Sequence, residues 1–335
     1  MQKTIFVVDD SLSNLSLAEE ALENQYRVIT LSSADKLYST LDKVTPDLIL
    51  LDIAMPDESG FDAMKKLKAN NKHSQIPVIF LTALTDTFNE ALGIELGAVD
   101  FITKPFSEPV LLNRVKNHIQ IDKLIKERTA QLINLKNSIV STMSNLVENR
   151  DNNTAGHIER TKQHLKTLLN SMINLSVYSD EIKDWDFDAF ASAACLHDVG
   201  KIRIPSSVLN KPASLTPEEF DVVKTHTTEG EKIINEMIKQ TGEAEFLHIA
   251  KLVAVYHHER WDGTGYPYGL NGDEIPLPGR IMAVIDVYDA LVSDRPYRKA
   301  MTHEEAVNMI NKESGKQFDP KIIAAFNKVS SSFKL

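Results

Sequence analysis

Over residues 3 to about 106, short apolar runs alternate with amphipathic segments, and the runs at 4–8, 27–31, 47–51, 77–81 and 100–103 read as strands. Near-continuous apolar character marks strands covered on both faces, and helices between them predict a doubly wound, five-stranded parallel α/β sheet. From 107 to 150 the pattern changes. Gly and Pro all but vanish after Pro109, and Ile125, Leu132, Ile139 and Leu146 recur every seven residues with Leu135 beside them. A heptad seam of that length predicts a connecting helix that pairs with its copy in a dimer, although Arg128, Thr142 and Asn149 interrupt the second seam. Beyond residue 153 strand signals are scarce. Helices are predicted over 154–175, 186–199, 216–237, 246–257, 278–292, 302–313 and 319–329, giving an all-α domain. Thr216 with Glu219 and Thr302 with Glu305 form capping boxes, and Asp319-Pro320 is a cap followed by Pro in the first turn. The expected organisation is therefore an α/β domain over 1–121, a helical connector over 122–150 and a helical domain over 151–335.

Composition narrows the setting. With 335 residues, 42% of them hydrophobic, the chain can build two cores. Its single Cys excludes an internal disulfide framework and suits a reducing cytoplasm. No apolar run approaches the roughly 20 residues that span a bilayer, and no membrane partner is expected. A net charge of −10 argues against charge-driven binding of DNA, and no basic helix-turn-helix follows the first domain.

Ligands of parallel sheets sit at the carboxyl ends of the strands. Those ends carry Asp9, Asp10, Asp52, Thr82 and Lys104. Three carboxylates gathered on one edge repel one another unless a cation lies among them, and an oxygen-only set suits Mg²⁺. Asp52 is then a nucleophile toward phosphorus, with Thr82 and Lys104 stabilising the added phosphoryl oxygens. Together with Met55-Pro56 and Gly60, these residues resemble the receiver domain of two-component response regulators. The resemblance implies that Asp52 accepts phosphate from a sensor histidine kinase. It also implies that Asp9, Asp10, Asp52 and the Ala54 carbonyl hold Mg²⁺, that Lys104 contacts the phosphate, and that Thr82 and Phe101 form the switch. Many receivers have Tyr at the position of Phe101, so here a hydroxyl is missing.

The helical domain carries a second constellation: His197-Asp198, His226, His257-His258 and Asp286. Imidazoles mixed with carboxylates favour Fe, Mn or Zn over Ca or Mg. Four imidazoles and two carboxylates suffice for two metals with Asp198 between them, an arrangement that activates water and clamps a phosphate oxygen. The run from His257 to Pro267, HHERWDGTGYP, ends a helix and enters a turn-rich loop. With His197-Asp198-Val199-Gly200-Lys201, His226 and Asp286 in register, residues 139 to 329 resemble the HD-GYP family of cyclic dinucleotide phosphodiesterases.

That resemblance implies hydrolysis of cyclic di-GMP to linear pGpG, and onward to GMP, with Fe or Mn in the site. It makes His197, Asp198, His226, His257, His258 and Asp286 metal ligands, with His157 as a further one. It also makes Asp198 and Lys201 catalytic, and assigns substrate contacts to Lys201, Tyr266, Asp289, Arg295 and Arg298. Tyr266 offers a face for guanine stacking, whereas Trp261 reads as a packing residue. Asn153 stands where three-metal members have Glu, so two metals are expected. Two alternatives stay open: a module that binds cyclic di-GMP or a partner protein without turnover, and a hydrolase of another cyclic dinucleotide. The expected whole is a phosphorylation-regulated, dimeric, cytoplasmic phosphodiesterase.

Overall fold

The computed structural model describes residues 2–83, 87–148, 150, 157–242, 244–294 and 299–333. The chain divides into two compact units, Met1–Leu132 and Ile133–Leu335. In the first, strands β1 (Thr4–Val8), β2 (Arg27–Leu31), β3 (Leu48–Asp52), β4 (Val78–Thr82) and β5 (Asp100–Thr103) form one parallel sheet in the order β2-β1-β3-β4-β5. Helices α1 (Leu12–Leu22), α2 (Ala34–Leu41), α3 (Gly60–Ala69), α4 (Thr87–Glu95) and the start of α5 (Glu108–Glu148) follow the successive strands.

Alternation along β1 explains why its run is apolar throughout. Ile5 and Val7 pack with Leu15 and Leu22 of α1 and Leu111 and Val115 of α5. Phe6 and Val8 pack with Leu37 of α2 and Met64 and Leu67 of α3 on the other face. Each such side chain contributes about 1.5–3 kcal/mol on burial. The strand order reverses between β1 and β3, which puts Asp9 and Asp52 at the crevice where ligands of this fold gather.

The second unit is helical. It contains the end of α5 and then α6 (His157–Asn174), α7 (Ser179–Ile182), α8 (Phe187–Ala194), α9 (Ser206–Leu209), α10 (Pro217–Lys224), α11 (His226–Thr241), α12 (Glu245–Tyr256), α13 (Leu277–Val292), α14 (His303–Lys312) and α15 (Pro320–Val329). Leu165, Leu168 and Met172 of α6, Phe190 of α8, Val253 of α12 and Ile281 and Tyr288 of α13 lie in one core. Asp9, Asp52, Thr82, His197, His226 and His257 are all buried. No helix among the described residues is long and apolar enough to cross a membrane.

Two expected helices are broken, and both breaks serve the site. The helix expected over 186–199 ends at Ala194. Its continuation tightens to i→i−3 bonds: Leu196 N–H to Ala193 O, His197 N–H to Ala194 O, and Lys201 N–H to Asp198 O. A 3-10 helix over Val199–Arg203 follows. Three residues per turn bring positions 198 and 201 onto one side. The helix expected over 216–237 breaks at Thr225, where the hydroxyls of Thr225, Thr227 and Thr228 bond carbonyls three residues back and compete with the regular ladder. His226 therefore opens α11. Gly200 lets the 3-10 segment lie directly on that opening turn, because a Cβ there would overlap the His226 carbonyl oxygen.

Candidate phosphoacceptor and metal centres

In the first unit, single carboxylate oxygens of Asp9, Asp10 and Asp52 all lie within 4.8 Å of one another. The Lys104 ammonium is 2.6 Å from Asp9 Oδ2 and 2.8 Å from Asp52 Oδ1. Asp9 is oriented further by the Ser11 N–H and the Asn14 amide. Asp9 and Asp52 are buried and Asp10 is exposed, and three carboxylates against one ammonium leave net negative charge, so the donor set fits a hard divalent cation. Gly60 lets α3 begin against β3, since a Cβ there would overlap the Asp52 carbonyl. Ala54 is exposed beside Asp52, and Thr82 is buried at the end of β4. The Phe101 ring packs on Phe80, centroids 5.6 Å apart, and against the Gly93 backbone.

In the second unit, the imidazoles are oriented by backbone carbonyls. His197 Nδ1 donates to Ala194 O (3.0 Å), His226 Nδ1 to Val223 O (2.8 Å) and His257 Nδ1 to Val253 O (2.9 Å). A carbonyl only accepts, so each Nδ1 carries a proton and each neutral ring turns an Nε2 lone pair inward. Asp198 joins these rings. Its Oδ2 lies 3.3 Å from His197 Nε2, and its Oδ1 lies 3.4 Å from His226 Nε2 and 3.9 Å from His257 Nε2. The His226 and His257 Nε2 atoms are 3.4 Å apart.

Two ligand groups result: His226, His257 and His258, and His157, His197 and Asp286, each with one donor atom per residue within 4.8 Å of the others. His197 Nε2 and Asp198 Oδ1 are buried without hydrogen-bond partners. Electrostatics shows what is missing. Burial opposes charge on His197, but Asp198 and Asp286 outweigh it and push its pKa up to about 9. Burial, then His197 and His226, push His257 down to about 3. Burial, His257 and His226 hold His258 well below its ordinary range. The centre calls for positive charge, yet His226, His257 and His258 are held below the ordinary imidazole range and reject protons. Borderline divalent metals meet both conditions.

The remaining expected residues are spread around this centre. Lys201 sits at 2.8 Å from Asp198 Oδ2, as the 3-10 geometry requires. Tyr266 stacks on His258 (centroids 4.8 Å) and its N–H donates to the His258 carbonyl, leaving the second ring face for other contacts. Trp261 lies against the Arg280 guanidinium, as a packing residue would. Asp289 departs from its expected substrate contact. It is buried, accepts from His157 Nδ1, from Arg160 Nε at 2.8 Å, and from Arg160 Nη2 at 3.1 Å. Burial opposes its charge, but His157 and Arg160 bring its pKa to about 2. Asp289 thus holds His157 in place, one helical turn beyond Asp286 on α13. Arg295, Arg298 and Asn153 lie outside the described residues.

Five residues near the site were not singled out in the sequence. Arg160, three residues after His157, shares its helical face and completes the Asp289 pair, a spacing that sequence could have flagged. Glu259 is buried and accepts from the Tyr268 and Leu270 N–H groups (2.7 and 3.1 Å), which shapes the loop carrying Tyr266. Gly265 completes that loop, since a Cβ there would overlap the backbone of Glu259 and Arg260. Arg150 donates to the carbonyls of Ile202 (2.5 Å), Ile204 (3.2 Å) and Lys201 (3.5 Å), and to Ser206 Oγ (3.1 Å). Glu148 is buried at the end of α5, its Oε1 3.7 Å from His157 Nε2.

Residues 141–322 match the HD domain family and residues 5–116 the response regulator receiver domain. A probable cyclic di-GMP phosphodiesterase of Vibrio cholerae serotype O1 is 38% identical over 340 residues, covering 97% of this chain and 77% of that protein. The cyclic di-GMP phosphodiesterase response regulator RpfG of Xanthomonas campestris pv. campestris is 32% identical, covering 96% of this chain and 86% of its own. A cyclic di-GMP phosphodiesterase of Thermotoga maritima is 32% identical, with 97% and 89% covered. The chain belongs to the family of response regulators in which a receiver domain precedes an HD domain.

Proposed function

We propose that this chain is a metal-dependent phosphodiesterase that hydrolyses cyclic di-GMP under the control of phosphorylation at Asp52. The observation that carries the reading is the meeting of the His226 and His257 Nε2 atoms with Asp198 Oδ1, 3.4–3.9 Å apart around a space that wants a cation. The names of relatives aligned over nearly the whole chain support the substrate. When bound, a pair of Fe or Mn ions lowers the pKa of water and neutralises a phosphate oxygen.

The chain's own residues supply the rest. Asp198 spans both ligand groups, and His157, positioned by Asp289, belongs to the group with His197 and Asp286. The Lys201 ammonium, beside Asp198, is suited to charge developing on the phosphate or on the departing 3′ oxygen. Water adds to phosphorus as the P–O3′ bond breaks, the 3′ oxygen takes a proton, and linear pGpG results, with GMP after a second hydrolysis. Tyr266 offers a ring face to a guanine, and Arg295 and Arg298 are assigned to phosphates.

On the receiver, Asp9, Asp10, Asp52 and the Ala54 carbonyl are suited to Mg²⁺, and the phosphoryl donor is a sensor histidine kinase. Lys104 and Thr82 would hold the phosphoryl oxygens, and Thr82 with Phe101 would relay the change to α5. On that helix Ile125, Leu132, Ile139 and Leu146 are at least half exposed at heptad spacing, which supports pairing with a second copy. The test is turnover of cyclic di-GMP by purified protein with Mn²⁺ or Fe²⁺, with and without beryllofluoride, the products being resolved by chromatography. Expected are pGpG as first product and a faster rate with beryllofluoride. Intact cyclic di-GMP beside consumption of another cyclic dinucleotide would reassign the substrate, and equal rates would remove the regulatory step.

A further inference from the structure

The last two turns of α5 are built into the helical unit. Val140 and Val147 are buried, and Ser144 Oγ donates to the Cys195 carbonyl at 2.7 Å, two residues before His197. Asn137 bonds Ser192 on α8 at 3.0 Å. These contacts fix the helix end against the segment that carries His197 and Asp198. Glu148, the terminal residue of α5, is only 7% exposed, and its Oε1 lies 3.7 Å from His157 Nε2.

That separation is too long for a hydrogen bond. His157 Nδ1 is engaged by Asp289, so its Nε2 faces Glu148. Among the described residues, no donor lies within hydrogen-bond distance of the Glu148 carboxylate. The residue is mostly buried, and a cation beside the carboxylate would offset the cost of its partial desolvation. Two ligands each about 2.1 Å from one ion stand about 3 to 3.6 Å apart, close to the spacing found.

We infer that Glu148, supplied by the end of the connecting helix, is a further metal ligand that shares an ion with His157, beside the group of His157, His197 and Asp286. The inference rests on that group holding a metal. It makes the tip of α5 part of the metal centre.

The test uses the full chain as wild type, Glu148→Gln, Glu148→Asp and His226→Ala, all prepared metal-free and titrated with Mn²⁺. Metal per chain is measured by mass spectrometry, and affinity by competition with a chelator. The inference predicts that Glu148→Gln weakens one Mn²⁺ site by about 10–100-fold and leaves the other, on the scale of lost ligand support. Glu148→Asp, which keeps the charge on a shorter stem, should fall between Glu148→Gln and wild type. Melting of the metal-free proteins checks folding; should Glu148→Gln fail to fold, Glu148→Asp carries the test, and wild-type affinity at both of its sites overturns the inference. Wild-type stoichiometry and affinity in a folded Glu148→Gln also overturn it while the metal reading stands. Absence of Mn²⁺ binding by wild type overturns both, and His226→Ala confirms that the second site is separately measurable.

Discussion

Replacing Asp198 with Asn is expected to remove metal and turnover together. Among the described residues no other carboxylate faces so many partners: Oδ1 looks at His226 and His257, and Oδ2 at His197 and Lys201. Asn has nearly the same volume but no charge, and its amide presents either an N–H₂ or a weaker carbonyl to lone pairs that need a cation between them. Burial opposes charge on Asp198, yet Lys201 and His197 hold its carboxyl well below the usual carboxylate range. Losing that anion leaves the Lys201 ammonium and the imidazoles without their common partner. Bound metal should fall in both ligand groups, and kcat for cyclic di-GMP should drop by at least about 10³-fold, the upper scale for removing one preorganised electrostatic element. Metal content and initial rates measured on one preparation test this. Wild-type metal content in Asp198→Asn would show that the groups bind independently of the carboxylate placed between them.

The second large effect is expected at Arg150. Its guanidinium reaches the carbonyls of Lys201, Ile202 and Ile204 and the Ser206 hydroxyl at the end of a 3-10 segment, where the Lys201 carbonyl also accepts the Ile204 N–H. Arg150→Met keeps the stem but frees those carbonyls, at a cost of about 1.5–3 kcal/mol for hydrogen bonds to a charged group. The consequence for chemistry passes through Lys201, whose backbone is gripped and whose ammonium meets Asp198. Arg150→Met should lower kcat by about 10–100-fold, the range seen when support around a metal site is lost. KM and bound metal should change little. Arg150→Lys should rescue poorly, since a point charge cannot span three carbonyls as the planar fork does. A fall in metal content equal to the fall in kcat would assign Arg150 to folding of the centre rather than to placement of Lys201.

Much of the fold was legible because burial on both faces leaves a direct mark: β1, with Ile5 and Val7 on one core and Phe6 and Val8 on the other, has no polar position to disguise it. The metal residues were legible as types and as an ordered set, because imidazoles and carboxylates announce their chemistry without coordinates. The helix breaks at Ala194 and Thr225 were not. The break at Thr225 coincides with threonine hydroxyls that bond carbonyls three residues back, and the two segments then meet where Gly200 approaches the His226 carbonyl, 26 residues apart in sequence. The partners of Asp289 were hidden for a related reason. Its spacing from Asp286 puts it near the centre, but only the arrival of His157 and Arg160 from α6 decides which way its charge is spent. Glu148 and Arg150 sit where the chain reads as a solvated, charge-rich helix, and nothing local separates a buried Glu from its exposed neighbours.

The central claim is that Asp198 stands between two metal ions, one held by the group around His226 and His257, the other by the group around His157 and His197. Anomalous diffraction at the iron or manganese edge, on crystals of metal-loaded full-length protein, tests it most directly. Two peaks are predicted, each within bonding distance of one group's Nε2 atoms, with an Asp198 oxygen reaching both. A single peak away from Asp198, or none in a protein that still hydrolyses cyclic di-GMP, would contradict the account.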